Sequence, residues 1–299
     1  MTQVTPFHHG RMPTTAEQAK QSARRKAAIA HGFDLVAEVY GAPDSGAFVR
    51  RLGAGLVRRA RLRPGDRVLD LGCGRGAVLF AAAEAVGPDG YAVGIDLSPG
   101  MVHATAAEIG AQRLRNLVVR VGDAEDPGFP SGSFEAVLAG LMLFITPDPA
   151  AVLGSAHRLL VPGGRFAMTS FGPADPAWER PVRAALAFAD QQQSVREWST
   201  NKGGNPLLDT PEQIADLFEQ AGFDQIETVD EEDVATYTGP EEWWASVWNS
   251  GRRAALLELI PDERREDARK AAFAELASLE VDGGLTRRTT VRYTTATRG

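Results

Sequence analysis

The chain has 299 residues, of which 43% are hydrophobic and 24% charged, a balance that suits a globular protein with a full buried core. Its formal net charge of −7 argues against a dedicated nucleic-acid binder, and its single cysteine, Cys73, excludes an internal disulfide. No Cys/His spacing resembles a metal site, no apolar run approaches the roughly 18 residues of a membrane span, and the N-terminal residues lack the apolar core of a secretory signal, so a cytoplasmic location is expected.

The spacing of Thr15 and Gln18 makes a capping box that opens a helix over residues 14–40, interrupted at Gly32. A second helix over 46–62 runs into the turn Pro64-Gly65. From there short apolar strands alternate with helices. Strands are expected at 66–72, 91–96, 116–123, 134–140 and 165–171, with helices at 76–86, 98–112 (Ser98 as N-cap) and 148–161 between them. These strands are unbroken apolar runs, as in a parallel sheet covered on both faces, and the alternation predicts a doubly wound α/β fold. Past Phe171 the rhythm stops. A proline- and tryptophan-bearing segment precedes a capped amphipathic helix at 210–223, a strand at 224–230, helices at about 240–260 and 262–280, and a closing strand at 287–298. The basic run at 58–67 and the acidic run at 227–242 each read as a solvated face.

The stretch "VLDLGCGRG" (68–76) places Gly72, Gly74 and Gly76 between a strand and a helix, where the backbone must turn sharply and approach a ligand. Dinucleotide enzymes and proteins that bind S-adenosylmethionine (SAM) both use this arrangement, and Asp96 at the end of the second strand suits the ribose of either. Three features favour SAM. The glycines follow G-x-G-x-G spacing behind an acid, Asp70, which would repel a pyrophosphate and attract an ammonium. Asp123, at the end of the third strand, is placed to accept from an adenine amino group. No second catalytic domain for a hydride acceptor and no Walker-type lysine is evident.

The segments "VLDLGCGRG", "VGIDLSPGM", "VRVGDAEDPGFPSGSFEAVLA" and "HRLLVPGGRFAMTSF", in this order, resemble the class I SAM-dependent methyltransferases. Within them the chain is similar to the small-molecule branch of ubiquinone and menaquinone biosynthesis, in which "GFDLVAEVYG" (32–41) matches the segment that closes over the cofactor. The resemblance implies a Rossmann-like, mostly parallel seven-stranded sheet with an antiparallel last strand. It implies an N-terminal helical lid (1–45), a cofactor-binding core (46–171), a substrate insertion (172–209) and a C-terminal part of the core (210–299) that carries a helical insertion at 240–280. It also implies roles: Gly72 and Gly74 beside the methionyl part, Asp70 on its ammonium, Asp96 on the ribose, Leu97 and Met101 around the adenine, Asp123 and the Ala124 backbone on its edge, the carbonyl near Ala139 on the ammonium, and Tyr40 as a cover. Two residues depart from the family pattern. Arg75 stands where Thr or Ser is common, and is read either as a partner of the methionyl carboxylate or as a solvated side chain. Glu135 stands where Asp is common, and is read as structural.

Methyl transfer from a sulfonium needs alignment and dehydration first, and a base only where the acceptor must lose a proton. His31, one residue before the lid segment, is the candidate base, with lid packing as the alternative; His8 and His9 lie in the N-terminal tail. Phe144, Phe171, Trp178, Trp198 and Trp244 are the candidate acceptor pocket, and ordinary packing is the competing reading for the tryptophans. The expected function is methylation of a small, largely apolar or aromatic metabolite, with oxygen favoured over carbon or nitrogen because no Asn/Asp-Pro-Pro-aromatic motif follows strand four. The alternative is a SAM-bound scaffold for cyclisation or rearrangement. The expected partner is a small-molecule acceptor, with neither nucleic acid nor membrane involved, and a homodimer is compatible with the chain.

Overall fold

A computed structural model describes residues 15–41, 46–189, 208–248, 253, 256–280 and 284–299; the expected capping-box side chains of Thr15 and Gln18 lie outside what is described. Seven strands form one sheet: β1 (Arg67–Leu71), β2 (Tyr91–Asp96), β3 (Leu117–Val121), β4 (Phe134–Gly140), β5 (Leu160–Phe171), β6 (Phe223–Tyr237) and β7 (Leu285–Arg298). Their order is β3-β2-β1-β4-β5-β7-β6. The first five are parallel, and β7 runs antiparallel to both β5 and β6. The fold is the Rossmann-like α/β sheet expected from the alternation.

Each face of the sheet has its own core. Helices α2 (Ala47–Ala60) and α3 (Leu79–Val86) cover one face, where Leu56 and Leu79 meet Val68, Ala136 and Leu138. Helix α5 (Pro149–Leu159) and helix α7 (Pro211–Gln220) cover the other, where Leu153 and Phe218 meet Leu69, Val137 and Phe166. Each such side chain removed from water contributes about 1.5–3 kcal/mol. Strand order reverses between β1 and β4, and the crevice at the carboxyl ends of these two strands is where an open α/β sheet takes a ligand. The glycine loop leaves β1 at this point.

Helix α1 (Thr15–Leu35) stops five residues earlier than its composition predicts, and residues 36–41 turn back onto helix α4 (Pro99–Gln112). The expected Ser98 cap is present: its hydroxyl accepts from the Met101 amide at 3.0 Å. Asp34 of α1 adds to it, accepting from the Ser98 hydroxyl at 2.5 Å and from the Gly100 amide at 2.8 Å. Thr210 and Gln213 form a full capping box on α7.

Strand β6 spans 15 residues where apolar patterning predicts seven. Its extra length is the acidic run, and it is not simply a solvated face. Arg292 of β7 grips Asp230 through two bonds of 2.8 Å, Arg51 of α2 reaches Asp233 at 2.8 Å, and Arg59 and Arg288 pair with Glu231 and Glu232. The basic and acidic runs therefore meet. Glu135 is structural as expected, held by the amide and guanidinium of Arg67, which keep its carboxyl below its ordinary value.

Helices α6 (Pro176–Leu186), α8 (Pro240–Trp248) and α9 (Arg265–Leu276) build a separate apolar cluster around Trp178, Trp243, Leu257 and Ala272. Among the described residues no helix is long and apolar enough to cross a membrane.

The Arg292 side chain is almost fully buried, and it also donates to the Asp209 carbonyl at 2.8 Å. Because Asp230 remains 37% exposed, solvent weakens the pair. Arg292→Met should lower unfolding free energy by about 2 kcal/mol in urea titrations. An unchanged midpoint would show that β6 is held by its backbone ladder alone.

Candidate active site

The glycine loop is built for close approach. Gly72 has φ +62°, and a Cβ there would stand 2.8 Å from Cβ of Met142; Gly74 has φ +49°. Asp96 organises the loop: its two carboxylate oxygens accept from the Gly74 amide at 2.8 Å and the Ser98 amide at 2.9 Å. The Thr105 hydroxyl donates to the Gly74 carbonyl at 2.8 Å. Burial pushes the Asp96 carboxyl above its usual range, and the two amide bonds partly offset this. Each oxygen keeps a lone pair for a further donor.

Above the loop lies a cavity of about 1060 Å³, including its open mouth. Asp70, Gly72, Gly74, Asp96, Asp123 and Tyr40 all line it, as do Leu97 and Ala124. Both Asp70 oxygens are buried, and among the described residues no side-chain donor reaches them; the Leu79 backbone amide alone draws the carboxyl's pKa downward. Burial first, and then the charge of Asp96, push its carboxyl well above the usual carboxylate range. A buried acid without a side-chain donor costs stability, and facing a cavity it offers a strong site for a cationic donor. Cys73 is also buried, with its thiol pushed well up by burial and by Asp96 and Asp70, and it fills the space above Gly94.

Asp123 is already engaged by Lys26 of α1, whose Nζ lies 2.7 Å from Asp123 and 2.5 Å from Glu125. Burial opposes the ammonium, but its bonds to the two acids outweigh this and hold its pKa above the ordinary value. Sequence reasoning missed Lys26 and Glu125. A pair 97 residues apart leaves no local signal. Tyr40 covers the loop, with Cε1 3.6 Å from where a Gly74 Cβ would be. Burial, then the Asp96 charge, push its phenol up to about 12.

Just past β4, Leu141 holds a left-handed φ of +54°, a strained conformation for a side-chain-bearing residue. Its amide is fixed by Thr169, at 3.0 Å from the hydroxyl and 3.2 Å from the carbonyl. Leu141, Met142, Ile145 and Thr169 give the cavity an apolar wall, which sequence reasoning did not single out.

Other expected residues lie elsewhere. Met101 is fully buried beneath the lid, against Val36 and Ala37, and Ala139 is fully buried in the sheet core, its neighbour Gly140 lining the cavity instead. His31 is exposed and outside the lining. Phe144 and Phe171 pack edge to face, 5.7 Å between centroids, also outside the lining. Trp178 packs on Tyr237 at 6.4 Å, and Trp244 on Trp243, Trp248 and Phe273, all within the cap cluster. These tryptophans thus follow the packing reading. His103 is exposed and His157 packs edge to face on Phe223. Trp198, His8 and His9 lie outside the described residues. Among the described residues, no group of three or more His, Cys, Asp or Glu is placed to hold a metal ion.

Residues 62–233 match a family described as a methyltransferase domain. The chain is 36% identical to nocamycin O-methyltransferase of Saccharothrix syringae over 273 residues, covering 88% of this chain and 96% of that protein. The chain belongs to the SAM-dependent methyltransferases. It is also 28% identical to a demethylmenaquinone methyltransferase of Symbiobacterium thermophilum, over 72% of this chain and 89% of that one. In fold it is similar to a Haemonchus contortus phosphoethanolamine N-methyltransferase solved with SAM, with TM-score 0.54, 18% identity, and coverage of 85% of this chain and 53% of that chain. The family's cofactor is SAM, and the donor set fits it: the Asp70 carboxyl, without a side-chain donor among the described residues, suits a cation and repels a pyrophosphate.

An acid whose pKa is raised by folding stabilises the fold while protonated, and loses that contribution as pH rises from its unfolded value through its folded one. In the ligand-free methyltransferase, the melting temperature should therefore contain a component that falls with rising pH above about pH 4. Asp70→Asn should remove that component, raise the melting temperature at neutral pH and weaken SAM binding. Differential scanning calorimetry with and without SAM checks this, and a destabilised variant at neutral pH would count against it.

Proposed function

We propose that this methyltransferase transfers a methyl group to oxygen of a small, largely apolar or aromatic metabolite of natural-product or quinone-like biosynthesis. The observation that carries the reading is that the apolar side chains of Leu141, Met142 and Ile145 line the same cavity as the buried Asp70. The similarity to nocamycin O-methyltransferase over most of both chains supports oxygen as the acceptor atom.

When bound, SAM supplies an electrophilic methyl with its leaving group already in place. The chain has to bind, align and exclude water. In this reading Asp70 takes the ammonium, while Gly72 and Gly74 bring backbone against the methionyl part. Asp96 accepts from the ribose hydroxyls with its remaining lone pairs, and Leu97 and Ala124 flank the adenine. Asp123 and Glu125, which already accept from Lys26, also accept from the adenine amino group. Residues 1–45 serve as the lid, 46–171 as the cofactor-binding core, and 172–209 with 240–280 as the cap over the acceptor. The wall at Leu141, whose strained backbone Thr169 holds, faces the acceptor, with Phe144 and Phe171 at the sheet edge nearby.

The test incubates the protein with methyl-labelled SAM and a panel of small phenolic, enolic, carboxylic and amine metabolites, followed by mass spectrometry and NMR. The expected product gains one labelled CH2 unit and shows an O-methyl resonance. A labelled N-methyl or C-methyl product would overturn the choice of oxygen. A rearranged product of unchanged mass with intact cofactor would favour the scaffold reading instead.

A further inference from the structure

Arg75, the residue that departs from the family pattern in the glycine loop, does not reach into solvent. Its side chain is only 10% exposed and runs back under the lid. Nη1 donates to the carbonyl of Ala37 at 2.6 Å and to that of Glu38 at 3.3 Å. Nη2 lies 3.6 Å from the Glu108 carboxylate of α4. The turn also closes around the arginine stem: Gly41 has φ +66°, and a Cβ there would lie 3.3 Å from Cβ of Arg75.

The segment so held is short. Helix α1 ends at Leu35, and the Val39 and Tyr40 amides both donate to the Val36 carbonyl, making one further tight turn. A guanidinium that caps carbonyls of such a turn fixes its direction by charge-assisted bonds. Tyr40 sits in this turn, its ring over Gly74, so consecutive loop residues hold the ring and the backbone of one lid turn.

We propose that Arg75 is a positioning residue that sets Tyr40 over the bound cofactor by pinning the 36–41 turn to the glycine loop. The proposal rests on the assignment of Tyr40 as the cofactor cover. The rival is direct recognition of the methionyl carboxylate by the Arg75 Nε, which is buried and has no partner among the described residues. The two differ in what they predict for Tyr40. An arginine acting through the turn loses its effect once the ring is gone, whereas one that binds the cofactor keeps it.

The experiment measures SAM and S-adenosylhomocysteine affinity by calorimetry, and S-adenosylhomocysteine dissociation by stopped flow, for wild type, Arg75→Ala, Arg75→Lys, Tyr40→Ala and the Arg75→Ala/Tyr40→Ala double variant. Arg75→Ala should weaken binding about tenfold, through faster dissociation, and speed proteolytic cleavage within residues 30–41. Arg75→Lys, which keeps the charge and part of the donor set, should recover some of the loss. The double variant should bind no more weakly than the weaker single variant, the non-additivity of a shared unit. If Arg75→Ala does not fold, Arg75→Gln replaces it in the cycle. Wild-type affinity in Arg75→Ala, unchanged affinity in Tyr40→Ala, or fully additive losses would each overturn the proposal. Failure of the wild type to bind SAM would instead remove the cofactor assignment, so the two failures are distinguishable.

Discussion

A carboxyl group with no side-chain donor among the described residues sits at the floor of the cavity in this methyltransferase, and the surrounding architecture follows from it. Asp70 lies in β1, paired in register with Gly94 of β2 and Leu138 of β4, which puts it in the middle of the sheet, and among the described residues no side-chain donor reaches it. Satisfying the acid internally would stabilise the ligand-free fold and fill the site. Left without a side-chain donor, it suits the proposed role of receiving a ligand that brings a cation. The conflict between stability and binding is thereby concentrated in one residue.

Around that floor, backbone amides and lid residues are tied together by acids with double duties. Asp96 joins the glycine loop to the start of α4, and Asp34 joins α4 to the lid helix. Lys26 and Arg75 complete the attachment, one on Asp123 and Glu125, the other on the carbonyls of the 36–41 turn. Helix α1 and the 36–41 turn are therefore fastened by polar contacts and a small apolar patch at Val36, Ala37 and Met101. Contacts of that kind exchange readily with a ligand's own donors and acceptors, which supports the proposal that this segment serves as a lid.

What was legible in the sequence followed from short-range physics. The glycine loop, the apolar parallel strands and the Ser98 cap are each encoded within a few residues, and all three appear where the pattern puts them. Strand β6 was only half legible, because its outer part carries acids whose partners, Arg51, Arg59, Arg288 and Arg292, come from distant segments. The tryptophans were ambiguous for a different reason: helical spacing is the same for a pocket wall and for a cap core, and only the packing of α6, α8 and α9 separates them. Lys26 and Arg75 act across 97 and 38 residues, so nothing near them in the chain announces their roles.

The central claim is that Asp70, buried in β1 with its carboxyl pushed well above the usual carboxylate range, receives the cationic end of SAM. Calorimetry of SAM binding over a pH series, for wild type and Asp70→Asn, tests it most directly. Wild-type affinity should rise with pH as Asp70 gains its charge, and Asp70→Asn should bind more weakly and without that pH dependence. Equal affinity and equal pH dependence in the two proteins would contradict the claim.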